Sequence, residues 1–486
     1  MGVLTALQPE GVFSCFEEIT RIPHGSGNTS EISNELKHFA EERKFKCSQD
    51  AAGNVVIFVP GTHGGENASP VMLQGHMDMV CEKNADSRHN FKNDPLELSM
   101  MDDFIFARGT TLGGDDGIAL AFCLAIADDP TLTHPPLELV FTVDEEIGML
   151  GAKALDTSSL KARRLINLDS EEEGKILLSC AGGLTGNMRV PVKYTKKSGQ
   201  KYQIIISGLK GGHSGSEIHK YQANANILLG RLLHFLGKKM HFDLVNCSGG
   251  LADNAIPREA DATVLVGKED FSTFEAIIRE FSETIKNEYR ANEDNIQIYC
   301  NSFGESEENV LVYKTMERVI FLLNTVPDGV QKMCQEPSMK GLVETSLNIG
   351  IMRLGDRDFC LTASVRSSIE SAKHNLSDKL KYLTETIGGS YDVAGEYPGW
   401  EYDENSKLLA VSKEVFTEVY GHEPVAEGIH AGLECGILAD KIPGLEIISI
   451  GPDVLNIHTP NEKLSISSVQ RTWRYLTKLL EALSSS

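Results

Sequence analysis

From the start of the chain to about residue 186, short apolar runs alternate with stretches whose apolar residues recur every three to four positions. NVVIFV (54–59), PVMLQG (70–75), LELVFTV (137–143) and RLINL (164–168) have the length and β-branched content of buried strands. The periodic stretches at 30–43 and 117–128 predict helices. Strands alternating with helices imply an α/β domain on a largely parallel sheet. Between about 187 and 399 the pattern changes to strands such as YQIIISGL (202–209), DATVLV (261–266) and FCLTASV (359–365), separated by long amphipathic helices at 271–289 and 371–387. That layout predicts an α+β module with an antiparallel sheet. After YPGW (397–400) the first style returns, with LEIISIG (445–451) as an interior strand. The expected organisation is one domain inserted in another: 1–186 and 400–486 build the first, and 187–399 the insert.

Composition narrows the possibilities. The chain has 486 residues, 41% hydrophobic and 24% charged, enough apolar material for more than one buried core. A formal charge of -23 leaves no basic stripe to neutralise phosphates, so neither nucleic acid nor an anionic membrane is an expected partner. No segment reads as a membrane span or secretory leader, and the ten cysteines are scattered without a C-x-x-C pair. Reduced thiols and a cytoplasmic location are expected. Cys81 and Cys435 lie near the motifs below, but a lone cysteine is more often a small buried hydrophobe than a ligand.

The candidate chemistry follows the strands. His76 and Asp78 come directly after VMLQG, Asp144-Glu145-Glu146 after LELVFTV, Asp169 after RLINL, and His458 shortly after LEIISIG. In an open α/β sheet, ligands bind outside the carboxyl ends of the strands, so one pocket can collect all four groups. The Gly-rich GTTLGGDDG (109–117) lacks the Gly-Lys-Ser/Thr ending of a phosphate loop and instead offers Asp115 and Asp116. His76, Asp115, Glu146, Asp169 and His458 present imidazole and carboxylate only, which suits two catalytic divalent ions, zinc first and manganese or cobalt as alternatives. Each ion would take one His and one terminal carboxylate, and a further carboxylate would bridge them. Asp78 is placed to orient the His76 ring, and Glu145, beside a ligand, is the natural general base. Individually these signals are weak: an acidic triplet usually caps a helix, and Asp-Ser-Glu-Glu-Glu at 169–173 reads equally as a solvated loop. Their order and strand context carry the weight.

HMD (76–78), GGDDG (113–117), DEEIG (144–148), GGHSG (211–215) and the late His458 resemble the co-catalytic zinc peptidases, the family that includes aminoacylase, glutamate-type carboxypeptidase and peptidase T. ARGTTLGGDDGIALA, INLDSEEEG, GLKGGHSGSEIH, NAIPREA, VETSLNIG, YPGW and IHAGLECG extend the resemblance over essentially the whole chain to the aminoacyl-histidine dipeptidase branch. The resemblance implies a mixed-sheet α/β catalytic domain with an inserted α+β lid domain, which in many relatives also forms a homodimer.

It further implies that His76 and Asp169 bind one metal, Glu146 and His458 the other, and that Asp115 bridges. His213 would reach the site from the lid, or from a partner subunit, to polarise the scissile carbonyl, and Asn254 and Arg366 would hold the carboxylate of a dipeptide substrate. His430 and Glu434 would line the pocket without an assigned role. Where relatives commonly carry Gly-Thr-Asp, this chain has IHAGLECG (429–436), so specificity does not transfer directly. Ser214 sits in a near-match to the serine-hydrolase elbow, but the final Gly of that motif is missing. The implied activity is hydrolysis of Xaa-His and other unblocked dipeptides; deacylation of N-acyl amino acids and tripeptide cleavage are the alternatives.

Overall fold

The computed structural model describes residues 2–485, which divide into two compact units. The first comprises the chain up to Ser179, Trp400–Gly428 and the residues from Leu433 onward; the second comprises Cys180–Gly399 and Ile429–Gly432.

The first unit is built on an eight-stranded sheet. Its order is Lys46–Gln49, Val55–Val59, Leu137–Thr142, Val71–His76, Arg164–Asn167, Glu446–Ser449, Lys175–Cys180 and Val425–Ile429. Val71–His76 lies between Leu137–Thr142 and Arg164–Asn167, parallel to both, and Glu446–Ser449 continues the parallel set. The pairs Lys46–Gln49 with Val55–Val59 and Val55–Val59 with Leu137–Thr142 are antiparallel, so the sheet is mixed with a parallel centre. Every residue of Val71–His76 and of Leu137–Thr142 is buried, as expected of strands covered on both faces. Helix Gly114–Asp128 is apolar nearly all round because it packs between this sheet and helix Glu10–Ile19. A small sheet formed by Val454–Leu455, Lys463–Ser465, Phe104–Ala107 and Leu98–Met101 carries the hairpin that bears His458.

The second unit holds a nine-stranded sheet whose pairs are antiparallel, with helices Ala225–Gly237, Phe271–Glu288, Tyr313–Thr325 and Glu370–Thr386 contributing to one apolar core with it. Strand Gly182–Pro191 pairs with Asp358–Ser367 and Ser390–Tyr397, which moves the first boundary ahead of the expected residue 186. Ile429–Gly432 also belongs to this unit although it lies within the segment assigned to the first domain by pattern. The short return is invisible to periodicity. Four residues carry no period.

None of the ten cysteines is joined in a disulfide. Among the described residues no helix is long and apolar enough to cross a membrane.

Candidate active site

Because the three central strands are parallel, their carboxyl ends emerge on one side and bring His76, the 144–146 turn and Asp169 together. His76 is the last residue of its strand and is buried. Its Nδ1 lies 2.9 Å from the carbonyl oxygen of Asp78, an acceptor only, so Nδ1 carries the proton and Nε2 faces the carboxylates. That Nε2 is 3.0 Å from Asp115 Oδ1 and 3.5 Å from Asp169 Oδ1. His458 Nε2 is 3.2 Å from Asp115 Oδ2 and 3.0 Å from Glu146 Oε1. The two oxygens of Asp115 are thus divided between two imidazoles, each of which has a second carboxylate of its own.

Two acceptors of Asp78 face His76 Nδ1, the backbone carbonyl at 2.9 Å and the carboxylate at 3.5 Å. The carboxylate braces the acidic turn: Oδ1 accepts the Glu145 N–H at 2.9 Å, and Oδ2 accepts the Glu146 N–H at 3.3 Å and the Ser26 hydroxyl at 2.8 Å. Asp144 opens that turn in the left-handed region, φ 53°, and its side chain accepts the Gly27 N–H at 2.7 Å. Asp116 turns inward, and Oδ2 accepts the His76 N–H at 3.1 Å. A Cβ on Gly75 would lie 2.5 Å from that oxygen, so only glycine lets the two segments meet.

Crowding of carboxylates sets the protonation of the cluster. Burial would raise the Asp115 carboxyl, but hydrogen bonds from His458 and His76 hold it below the usual range. Hydrogen bonds to Asp115 and Glu146 raise His458 to about 10. Burial first, then the charges of Asp169, Glu434 and Glu146, push Glu145 up to about 9. Burial, then Asp115 and Glu146, raise Asp169 to about 6; burial, then Asp115 and Asp169, raise Glu171 to about 8. Such a set of mutually repelling acceptors is the environment a cation relieves.

Three further groups were not assigned roles by sequence reasoning. Glu434 is fully buried; its Oε2 accepts from Gln74 Nε2 and Thr142 Oγ1, each at 2.6 Å, and burial raises its carboxyl to about 7. Gln74 Oε1 in turn accepts from Asn167 Nδ2 at 2.7 Å, so the chain of polar groups ties three adjacent strands together beneath the acidic cluster. Glu171 joins the cluster from the loop after Asp169. Glu462, four residues past His458, holds the backbone of the Gly-rich loop. Glu434 was legible as a pocket residue without a role and Glu171 as part of the acidic run at 171–173, whereas Glu462 left no trace in the sequence.

The second unit places the other expected residues. His213 closes the two-residue strand Gly212–His213, opposite Ala255, and Asn254 immediately precedes that partner strand. His213 Nδ1 accepts the N–H groups of Gly215 at 3.3 Å and Ser216 at 3.1 Å, which leaves Nε2 as the N–H. Burial, then the charge of Arg366, lowers its pKa and keeps the ring neutral. Arg366 is 8% exposed on strand Asp358–Ser367; Nη1 donates to Tyr397 Oη at 3.1 Å, and among the described residues no carboxylate forms an ion pair with it. His430 Nε2 and Ser346 Oγ share a hydrogen bond of 2.7 Å, and burial, then Arg366, depresses the ring to about 3. Ser214 Oγ is buried without a hydrogen-bond partner, so no base activates it.

A cluster of two imidazoles and several carboxylates at the carboxyl edge of a parallel-centred sheet defines a metallohydrolase class of site, and residues 72–482 match the peptidase family M20/M25/M40. The chain belongs to that family. It is 37% identical over 485 residues, 99% of either chain, to the cytosol non-specific dipeptidase of Escherichia coli (strain K12). The crystal structure of aminoacylhistidine dipeptidase from Vibrio alginolyticus superposes with a TM-score of 0.92 at 36% identity, covering 99% of this chain and 98% of that one. Aminopeptidase PepT from Bacillus cereus shares the fold, with a TM-score of 0.56 at 17% identity over 98% of this chain and 99% of its own.

Proposed function

We propose that this protein is a metal-dependent dipeptidase that hydrolyses Xaa-His and other unblocked dipeptides. The observation that carries the reading is the division of Asp115 between His76 and His458, each imidazole having its own second carboxylate. The relatives named above support the substrate class.

The donor set fits two divalent cations: it is all imidazole nitrogen and carboxylate oxygen, buried, and crowded with like charge. His76 and Asp169 would hold one, Glu146 and His458 the other, with Asp115 shared. Zinc, or manganese or cobalt in its place, would supply Lewis acidity and lower the pKa of a water at neutral pH. Asp78 sets where the base stands, because it holds the backbone N–H of both Glu145 and Glu146. Glu145 takes the proton of the attacking water and passes it to the leaving amine. His213, neutral with its proton on Nε2, donates to the carbonyl oxygen as negative charge develops there. Arg366, a buried cation without an ion-pair partner among the described residues, binds the substrate's terminal carboxylate, assisted by Asn254. His430 stays neutral and lines that region. The reading places the enzyme in the cytoplasm.

The test is a panel of Xaa-His dipeptides including β-alanyl-histidine, other dipeptides, tripeptides and N-acyl amino acids, offered to chelator-stripped and metal-restored protein. Dipeptide cleavage that vanishes with chelator and returns with zinc, manganese or cobalt is expected. Preference for tripeptides or acylated amino acids would overturn the assignment.

A further inference from the structure

Asp115 can be shared between two imidazoles only if the loop that carries it is held at a fixed distance from the hairpin that carries His458. Within GTTLGGDDG, Thr111 Oγ1 donates to the Val80 carbonyl at 2.7 Å, which ties the loop to that segment and not to the hairpin. Gly113 is in the left-handed region, φ 68°, and helix Gly114–Asp128 starts without a side-chain cap from its preceding residue. The restraint comes from residue 462. Glu462 is 3% exposed, and its two oxygens gather four consecutive amide groups: Oε2 accepts from Leu112 N at 2.8 Å and Gly113 N at 3.2 Å, and Oε1 from Gly114 N at 2.7 Å and, more weakly, Asp115 N at 3.4 Å.

The other end of this clamp is equally fixed. Strands Val454–Leu455 and Lys463–Ser465 pair across the hairpin. Within it, Glu462 N donates to the Thr459 carbonyl at 3.1 Å, and Thr459 Oγ1 donates to the Asn456 carbonyl at 2.7 Å. Asn456 and His458 occupy the left-handed region, φ 56° and 58°, which fixes the direction in which the imidazole leaves the hairpin. One braced loop therefore delivers His458 as a ligand and Glu462 as the anchor of the neighbouring ligand.

We propose that Glu462 is a positioning residue of the metal centre: by binding the Leu112–Asp115 amides it sets the Asp115 carboxylate against His458 before any metal arrives. The proposal rests on the metal-centre reading above. A carboxylate that merely anchors backbone amides would stabilise the fold and leave metal binding alone, and Glu138 provides that comparison. Glu138 is also a buried carboxylate accepting two backbone amides, Lys161 N at 2.8 Å and Ala162 N at 3.1 Å. It lies near the start of its strand, where His76 pairs with Thr142 toward the other end.

The experiment titrates cobalt(II) into chelator-stripped full-length wild type, Glu462→Gln, Glu462→Ala and Glu138→Gln, following the visible absorption bands together with thermal melting. Glu462→Gln is expected to weaken cobalt binding about 10–100-fold and to alter the band shape, as loss of an outer-shell partner does. Glu462→Ala should do at least as much, and Glu138→Gln should lower the melting temperature while binding cobalt like wild type. Folded Glu462 variants with wild-type affinity and spectrum would overturn the proposal. So would an equal loss of cobalt binding in Glu138→Gln. Hydrogen exchange on stripped wild type tests preorganisation without any variant: the Gly113 and Gly114 amides should be protected, and free exchange there would refute it. A wild type that binds no cobalt would remove the metal-centre reading itself, with or without protected amides.

Discussion

Replacing Glu145 by Gln changes one oxygen to an amide nitrogen and little else. The side chain keeps its volume, and Asp78 still receives the N–H groups of residues 145 and 146, so the ligand Glu146 stays in place. What is removed is the ability to take and return a proton. General-base catalysis contributes about 10²–10⁴-fold, and at about 1.4 kcal/mol per decade that is a rise of about 3–5 kcal/mol in the barrier. The loss should fall on kcat, with metal content unchanged. The assay is steady-state hydrolysis of an Xaa-His dipeptide under saturating zinc, paired with elemental analysis of the same preparations. Glu146→Gln is the contrast, because it should lose bound metal along with turnover. Glu145→Gln protein with full metal content and wild-type kcat would refute the assignment of the base.

Three further expectations follow from other parts of the molecule. Arg366→Ala should raise KM for dipeptides with a free carboxylate by the equivalent of about 1.5–3 kcal/mol, the worth of hydrogen bonds to a charged group; an equal change for C-terminally amidated substrates would contradict its role. Leu73→Ala, in the fully buried central strand, should cost about 2–5 kcal/mol in denaturant unfolding, and a near-neutral result would count against that packing. Burial and neighbouring carboxylates raise Glu145, Glu171, Glu434 and Asp169 to about 9, 8, 7 and 6 in the metal-free cluster. A raised carboxyl contributes stability that is present below its unfolded pKa and lost as pH rises through the folded value. Stripped protein should therefore melt lower at about pH 9 than at about pH 5, with the gain from zinc growing across that window. Asp115 and Asp78, held below the usual range, act at more acidic pH, outside it. A stripped protein whose melting temperature rises over the same interval would show that the cluster does not hold these protons.

Much of the catalytic unit was legible in the chain because its signals are local. A buried parallel strand announces itself as a short apolar run, and His76, the 144–146 triplet and Asp169 each follow such a run directly. Contacts made by backbone groups over long separations left no comparable trace. Glu462 reads as an ordinary polar residue, and its partners are amides some 350 positions earlier, which no side-chain pattern encodes. Asp78 was legible as a neighbour of His76, but the backbone amides that its carboxylate braces were not. Glu434 was recognisable only as a polar residue near the site, because its partners come from two strands distant in sequence.

Glu446–Ser449 sits inside the first unit's sheet, parallel to Arg164–Asn167 on one side and next to Lys175–Cys180 on the other, although it is among the last strands to be synthesised. Until the ribosome has passed residue 449, both neighbours present open hydrogen-bonding edges in an apolar setting, while the contiguous 180–399 segment already contains its own sheet and core. Maturation during translation is therefore out of step: the inserted unit can condense early, and the sheet that carries the acidic cluster must wait for a strand delivered late. Chains interrupted between these points would display unpaired strand edges of the kind that favour aggregation.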